Sequence, residues 1–237
     1  MKNMFQAFDT RLLDQAGLNR QAVFNIEDLP ADVAATIEPG QPGNSHSPYR
    51  QLILIGHAGR TLWDAVRNAG IASADPIDDF TIRTVRQWFA QCQPGCAYEI
   101  VYPGPRLIGL QRLGQLAGWH HPSPFMIGID PKWGTWYAYR AVVLAETRFA
   151  PTIPVASDHP CDACAARVCA ASCPGGAIDE GRFELGKCLA YRRREDSACK
   201  ATCLARIACP VGAEHRYTDE QLRHSYSISM RAIERFY

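Results

Sequence analysis

The stretch on which this chain turns reads Cys161-Asp162-Ala163-Cys164-Ala165-Ala166-Arg167-Val168-Cys169-Ala170-Ala171-Ser172-Cys173-Pro174. After an isolated Cys188 it is followed by Cys199-Lys200-Ala201-Thr202-Cys203-Leu204-Ala205-Arg206-Ile207-Ala208-Cys209-Pro210. Eight of the ten cysteines lie in this window, and only Cys92 and Cys96 stand outside it. Eight thiolates are what two four-ligand clusters need. Both runs end in Cys-Pro, and in two-cluster bacterial ferredoxins the cysteine before proline ligates the other run's cluster. By that logic Cys161, Cys164, Cys169 and Cys209 make one [4Fe–4S] set, and Cys173, Cys188, Cys199 and Cys203 make the second. Soft thiolate sulfur suits iron–sulfur centres. The gaps Cys164-x4-Cys169, Cys199-x3-Cys203 and Cys203-x5-Cys209 are looser than the ferredoxin pattern. The rival is a pair of structural zinc sites, which want two short Cys-x2–4-Cys knuckles each; a lone Cys188 fits that poorly. Disulfides or free thiols are the third reading. Cys92 and Cys96 read as small apolar core residues and stay outside the site.

The rest of the chain sets the context. It has 237 residues, 47% hydrophobic and 21% charged, an ordinary globular mix that can bury a core without disulfides. Lys+Arg 25 against Asp+Glu 24 leaves a net charge of +1, without the basic excess expected of a nucleic-acid binder. Asp9, Arg11 and Asp14 interrupt the N-terminal segment, so no signal-peptide core is read there. No run approaches the roughly 18 apolar residues of a membrane span. The expectation is a soluble cytoplasmic protein with no membrane partner. In that reducing compartment clustered cysteines bind metal more often than they form disulfides.

Three regions are expected: a cofactor-binding body over 1–155, the cysteine module over 156–212, and a helical tail over 213–237. In the body, Phe5, Phe8, Leu12 and Ala16 recur at helical spacing, and 30–49 reads as a Pro/Gly/Ser-rich loop. Gln51–Gly56 reads as a buried strand, and a helix follows over Thr61–Asn68. Asp75-Pro76 opens a helix running to about Cys92, with Asp75 as cap and Pro76 at the first helical position. Tyr98–Tyr102 reads as a strand, and Leu107, Leu110, Leu113 and Ala117 mark a helix. Two further strands over Phe125–Ile129 and Trp136–Leu144 are joined by the turn Asp130–Gly134. The class is α+β, a sheet with packed helices, and no phosphate-loop or dinucleotide glycine motif occurs in it.

Two families resemble this chain. Cys161–Ile178, with Cys173-Pro174-Gly175-Gly176-Ala177-Ile178, and then Cys188-Leu189-Ala190-Tyr191 resemble the iron–sulfur module of epoxyqueuosine reductase. Leu113–Trp119 and Ile129–Leu144 resemble both that enzyme and the CblC-type cobalamin-processing proteins, and Tyr217–Gln221 resembles the CblC type. The resemblance implies a nitroreductase-like α+β domain beside a ferredoxin-like two-cluster module. Clusters there would feed electrons to a corrinoid, or to FMN, in the body. Two features depart from the families: no Arg-Asp-Tyr-His stretch carries an acid, and no His follows Tyr98–Pro103.

Single residues follow from this. Arg140 lies in an apolar and aromatic run, where alternation puts it on the face of Ala138 and Val142. A buried Arg needs a partner, either an internal acid or the phosphate or carboxylate of a cofactor, as the CblC-type segment implies. Trp133, Trp136, Tyr137 and Tyr139 could wall a flat cofactor or pack a core. Arg140, Trp136 and Tyr139 are the candidate cofactor contacts. His120 and His121 read as solvated loop histidines. Arg192-Arg193-Arg194 reads as a solvated patch or a landing site for an acidic redox donor protein. The expected function is an iron–sulfur oxidoreductase that passes electrons from two clusters to a corrinoid or flavin in the body, in cobalamin processing or reduction. The alternatives are a non-catalytic electron or corrinoid carrier and a zinc-stabilised interaction protein.

Overall fold

Gln51–Ala58 is buried at every residue, which only an interior strand covered on both faces can achieve. The computed structural model, which describes residues 5–37, 48–179 and 181–237, places it inside a four-stranded antiparallel sheet. The chain divides into two compact units, 1–118 with 137–155, and 119–136 with 156–237.

In the first unit, helix α1 (Arg11–Gln15) leads into β1 (Arg20–Asn25), α2 (Ala31–Ile37), β2 (Gln51–Ala58), α3 (Thr61–Asn68), α4 (Pro76–Cys92), β3 (Tyr98–Tyr102) and α5 (Leu110–Leu116). The chain then leaves for 119–136, which carries the short pair β4 (His121–Pro122) and β5 (Gly128–Ile129), and returns with β6 (Tyr137–Ala145). The sheet order is β1-β2-β6-β3. One core packs Ile53, Ile55, Ala141, Val143 and Ala145 against Trp63, Phe80, Val85, Trp88 and Phe89 of α3 and α4. Cys92 and Cys96 pack against this same core.

Several local expectations change. Phe8 is not helical; its ring stacks on Trp88 at 4.8 Å, and the Trp88 indole N–H donates to the Asp9 carbonyl. The helix therefore starts only at Arg11. Residues 31–37 are a helix rather than loop, because Val33 and Ile37 share one buried face; the part of that expectation covering 38–47 lies outside the described residues. Asp75 makes no side-chain cap, although its carbonyl accepts from Asp78 and Asp79. Leu107 is exposed and the helix begins at Leu110. Of Phe125–Ile129 only Gly128–Ile129 is strand.

The second unit holds α6 (Val168–Ala171), the pair β7 (Ile178–Asp179) and β8 (Arg182–Phe183), α7 (Leu185–Arg193), α8 (Leu204–Ala208) and the long α9 (Asp219–Phe236). Thr218 caps α9 by accepting from Gln221 N–H at 3.2 Å, the favoured device at a helix start. Among the described residues no helix is long and apolar enough to cross a membrane.

Candidate functional site

The cysteines are set by two very short helices. Helices α6 and α8 pack together around Phe125, Cys169, Ile178 and Ala205, with Ala170, Cys173 and Cys203 at the edge of the same cluster. Cys169 lies in α6 and Cys173 just after it. Cys203 precedes α8 and Cys209 follows it. The packing brings the far end of each run to the other run. Cys161, Cys164, Cys169 and Cys209 line one cavity of about 90 Å³. Cys173, Cys188, Cys199 and Cys203 line another of about 530 Å³. Phe125 lines both.

The electrostatics follow the same partition. Burial pushes the Cys161 thiol up to about 11, and the charges of Cys209, Cys169 and Cys164 push it further in that direction. Burial raises Cys188 too, helped by Cys203, Cys173 and Cys199 and opposed by the Arg192 guanidinium. Burial likewise raises Cys169, Cys203 and Cys209. Burial and neighbouring thiolate charge thus both favour the protonated form of Cys161, Cys169, Cys188, Cys203 and Cys209. Among the described residues no three His, Cys, Asp or Glu converge closely enough for a single metal ion. The thiols are spread around cavities instead of gathered on points.

Local hydrogen bonds hold one thiol and the backbone of two other cysteines. Ala177 N–H donates to Cys173 Sγ at 3.4 Å. Cys161 N–H donates to His159 Nδ1 at 3.1 Å, and Cys199 N–H to Ser197 Oγ at 3.2 Å. The long Cys164–Cys169 gap is closed by Arg167, which takes a left-handed φ of 39° immediately before α6.

Two buried arginines hold the second run: Arg206, which the sequence reading passed over, and Arg192, which it placed in a surface triplet. Arg206 donates from Nη2 to the Thr135 carbonyl at 2.5 Å and from Nε to Thr135 Oγ1 at 3.3 Å. Its guanidinium lies over Trp136 at 4.4 Å and over Tyr217 at 5.0 Å. Arg192 donates from Nε to the Cys199 carbonyl at 3.1 Å and from Nη1 to Ser229 Oγ at 2.9 Å. This corrects the solvated reading of the arginine triplet for Arg192; Arg194 is exposed and pairs with Asp196. The signal available in sequence was position: Arg206 sits at the centre of an otherwise apolar Leu204–Ala208 helix. His120 is buried rather than solvated, and burial lowers its pKa.

The three candidate cofactor contacts are not gathered within one unit. Trp136 is fully buried against Tyr217 and Leu222 in the second unit, so its ring has no face open to a cofactor. Arg140 and Tyr139 lie on β6 in the first unit. Ile55 pairs with Ala141 and Gly56 with Tyr139, which makes Arg140 the extra residue of a bulge. The bulge breaks the alternation that put Arg140 with Ala138 and Val142. Arg140 Nε donates to His57 Nδ1 at 2.9 Å. Burial raises Asp78 and Tyr102, and the charge of Arg140 opposes both rises. A second irregularity between Ile100 and Tyr102 lies on the other side of β6. Bulges at such positions re-aim side chains toward sites. A Cβ at Gly114 would collide with the Tyr139 hydroxyl, so α5 carries glycine where Tyr139 packs.

By sequence the chain matches no family model and no curated protein. Solved structures do resemble it. An epoxyqueuosine reductase from Streptococcus thermophilus superposes with a TM-score of 0.51 at 14% identity, over 86% of this chain and 65% of that one. This chain thus spans just under two thirds of that enzyme. The C. elegans B12-trafficking protein CblC, a homologue of human MMACHC, gives a TM-score of 0.51 at 14% identity over 96% of both chains. A reductive dehalogenase, whose structure suggests a mechanism for B12-dependent dehalogenation, gives 0.50 at 13% identity over 91% of this chain and 32% of that one. These likenesses establish a shared α+β fold and bear out the resemblance to epoxyqueuosine reductase and CblC read from the sequence.

Proposed function

We propose that this chain is an iron–sulfur oxidoreductase. Two [4Fe–4S] clusters, one on Cys161, Cys164, Cys169 and Cys209 and one on Cys173, Cys188, Cys199 and Cys203, serve a corrinoid or flavin held by the sheet unit. The observation that carries this reading is the crossed partition itself: each set of four thiols rings its own cavity. The donor chemistry fits, because four soft thiolates around a volume suit a polynuclear cluster, whereas structural zinc wants four ligands on one point. Arg192, buried beside Cys199 and lowering the cost of a charged Cys188, offsets thiolate charge in the second set. In this reading the second unit is a ferredoxin-like module and the first a nitroreductase-like domain, with a redox donor protein supplying electrons.

When bound, the clusters supply one-electron transfer. The chain's own residues exclude water with Phe125 and Ile178, hold the backbone of Cys199 through Arg192, and hold α8 through Arg206. In the sheet unit, the bulged Arg140 with His57 and Tyr102 is the proposed polar anchor for a cofactor's phosphate or carboxylate. The named neighbours are tied to B12 or to reduction, and this favours a corrinoid over a flavin.

Anaerobic reconstitution with iron and sulfide, then titration with hydroxocobalamin and separately with FMN, tests the reading. The expected result is about eight irons per chain and a cobalamin spectral shift that Arg140→Ala weakens. Full iron with no cofactor binding would leave a non-catalytic carrier. Zinc in protein prepared without oxygen would sink the cluster assignment.

A further inference from the structure

Arg140 is the extra residue of the bulge in β6, and its Nε donates to Nδ1 of His57 on β2 at 2.9 Å. His57 is fully buried, with 0% of its surface exposed. A guanidinium carries five N–H donors and no acceptor, and it keeps its charge at any working pH. The nitrogen it donates to must therefore offer a lone pair. His57 is thus the neutral imidazole with its proton on Nε2, since a protonated ring would set N–H against N–H.

This bond has a consequence for charge. A carboxylate partner orients an arginine and also cancels its charge. A neutral imidazole orients it and cancels nothing. The charge of Arg140 reaches Asp78 on α4 and Tyr102 on β3. Among the described residues neither of them pairs with it, and the bond to His57 is the one hydrogen bond its side chain makes. Nη1 and Nη2 remain, an edge that meets two oxygens of a phosphate or carboxylate at once. All four residues belong to the first unit. We infer that His57 is a positioning residue that does not itself touch the ligand: it aims the Nη edge of Arg140 at an oxyanion group and leaves the guanidinium charge undiminished. The inference rests on the reading of Arg140 as a cofactor anchor, and adds what selects an anionic group there.

The probes are cyanocobalamin, which carries a phosphodiester, and FMN. Each is titrated into the reconstituted full chain at about pH 8, where an introduced Asp is ionised. For whichever binds, His57→Leu removes the acceptor and weakens binding about tenfold. His57→Asp keeps an acceptor, adds the cancelling charge and weakens binding at least as much. His57→Asn keeps a neutral acceptor near the place of Nδ1 and restores binding to within about threefold of wild type. A residue that merely fills the core would not separate Asn from Asp, which match in size. Nitrogen NMR of the wild-type chain with isotope-labelled histidine reads the ring directly, with His57 assigned from its contacts to Ala138 across the sheet. A neutral ring protonated at Nε2 is expected, and this measurement decides alone should the variants not fold. Equal affinities for the Asn and Asp variants, wild-type affinity in His57→Leu, or a ring protonated at Nδ1 overturns this inference alone. Wild-type affinity in Arg140→Ala, or binding of neither probe, overturns the anchor reading and this inference with it.

Discussion

Cys161 shows how a single thiol reports on its set. Its pKa of about 11, raised first by burial and then by Cys209, Cys169 and Cys164, stands above the usual 9.0. The folded iron-free chain therefore keeps a proton that the unfolded chain has lost between those values. The unfolded state then binds fewer protons, so stability falls as pH rises from about 9 to about 11. Urea midpoints of the iron-free protein should decline across that window, and Cys161→Ala should flatten part of the decline. The grouping of the eight cysteines was legible from their spacing and the two Cys-Pro ends, and the fold sets the same two groups around separate cavities. Arg192 and Arg206 were not, because an arginine's burial depends on acceptors brought in by the fold: Cys199 and Ser229 for one, Thr135 for the other.

Among the elements, the turn Asp130–Gly134 has the clearest role. Asp130 Oδ1 accepts from Lys132 N–H at 2.9 Å and Trp133 N–H at 2.8 Å, which closes the turn. Gly134 and Gly212 then meet backbone to backbone, both at positive φ, 57° and 65°. A side chain on Gly212 would run into the Trp133 carbonyl carbon and the Gly134 nitrogen. Gly212→Ala combines a left-handed φ with a clash against backbone that cannot give way, and should cost at least about 2 kcal/mol. Chemical denaturation of the reconstituted protein measures it. The turn residues were readable from Pro131 and Gly134, but their partner across 211–212 was not, since sequence spacing carries no record of which loops touch. The strands β2 and β6 were legible from their apolar runs, and α4 from the Asp75-Pro76 signal at its start. The bulge at Arg140 was not, because one extra residue leaves no mark on composition.

For the molecule as a whole, the two units rest on different supports. The first has a four-stranded sheet and an aromatic core. The second has short helices, two-residue strand pairs and cysteine-lined cavities, with α9 its one long element. Metal binding in such a unit contributes directly to folding. Chelating iron from the reconstituted protein should raise amide exchange across 161–210 while β2 and β6 stay protected. Equal protection of 161–210 with and without iron would show that the module stands without its metal. The expected boundary at 155 was drawn where cysteines begin. The observed one also takes in 119–136, because Phe125, Thr135 and Trp136 are packing partners of the cysteine runs.

That interleaving bears on synthesis. Residues 119–136 leave the ribosome before β6, the strand that joins β2 to β3 in the sheet. The sheet can close once residue 145 has emerged, while Phe125 and Trp136 still wait for partners about Cys169, Ala205 and Tyr217. A continuous 156–237 segment moved to another protein would leave behind Phe125, Thr135 and Trp136, the packing partners of the cysteine runs that are encoded before β6.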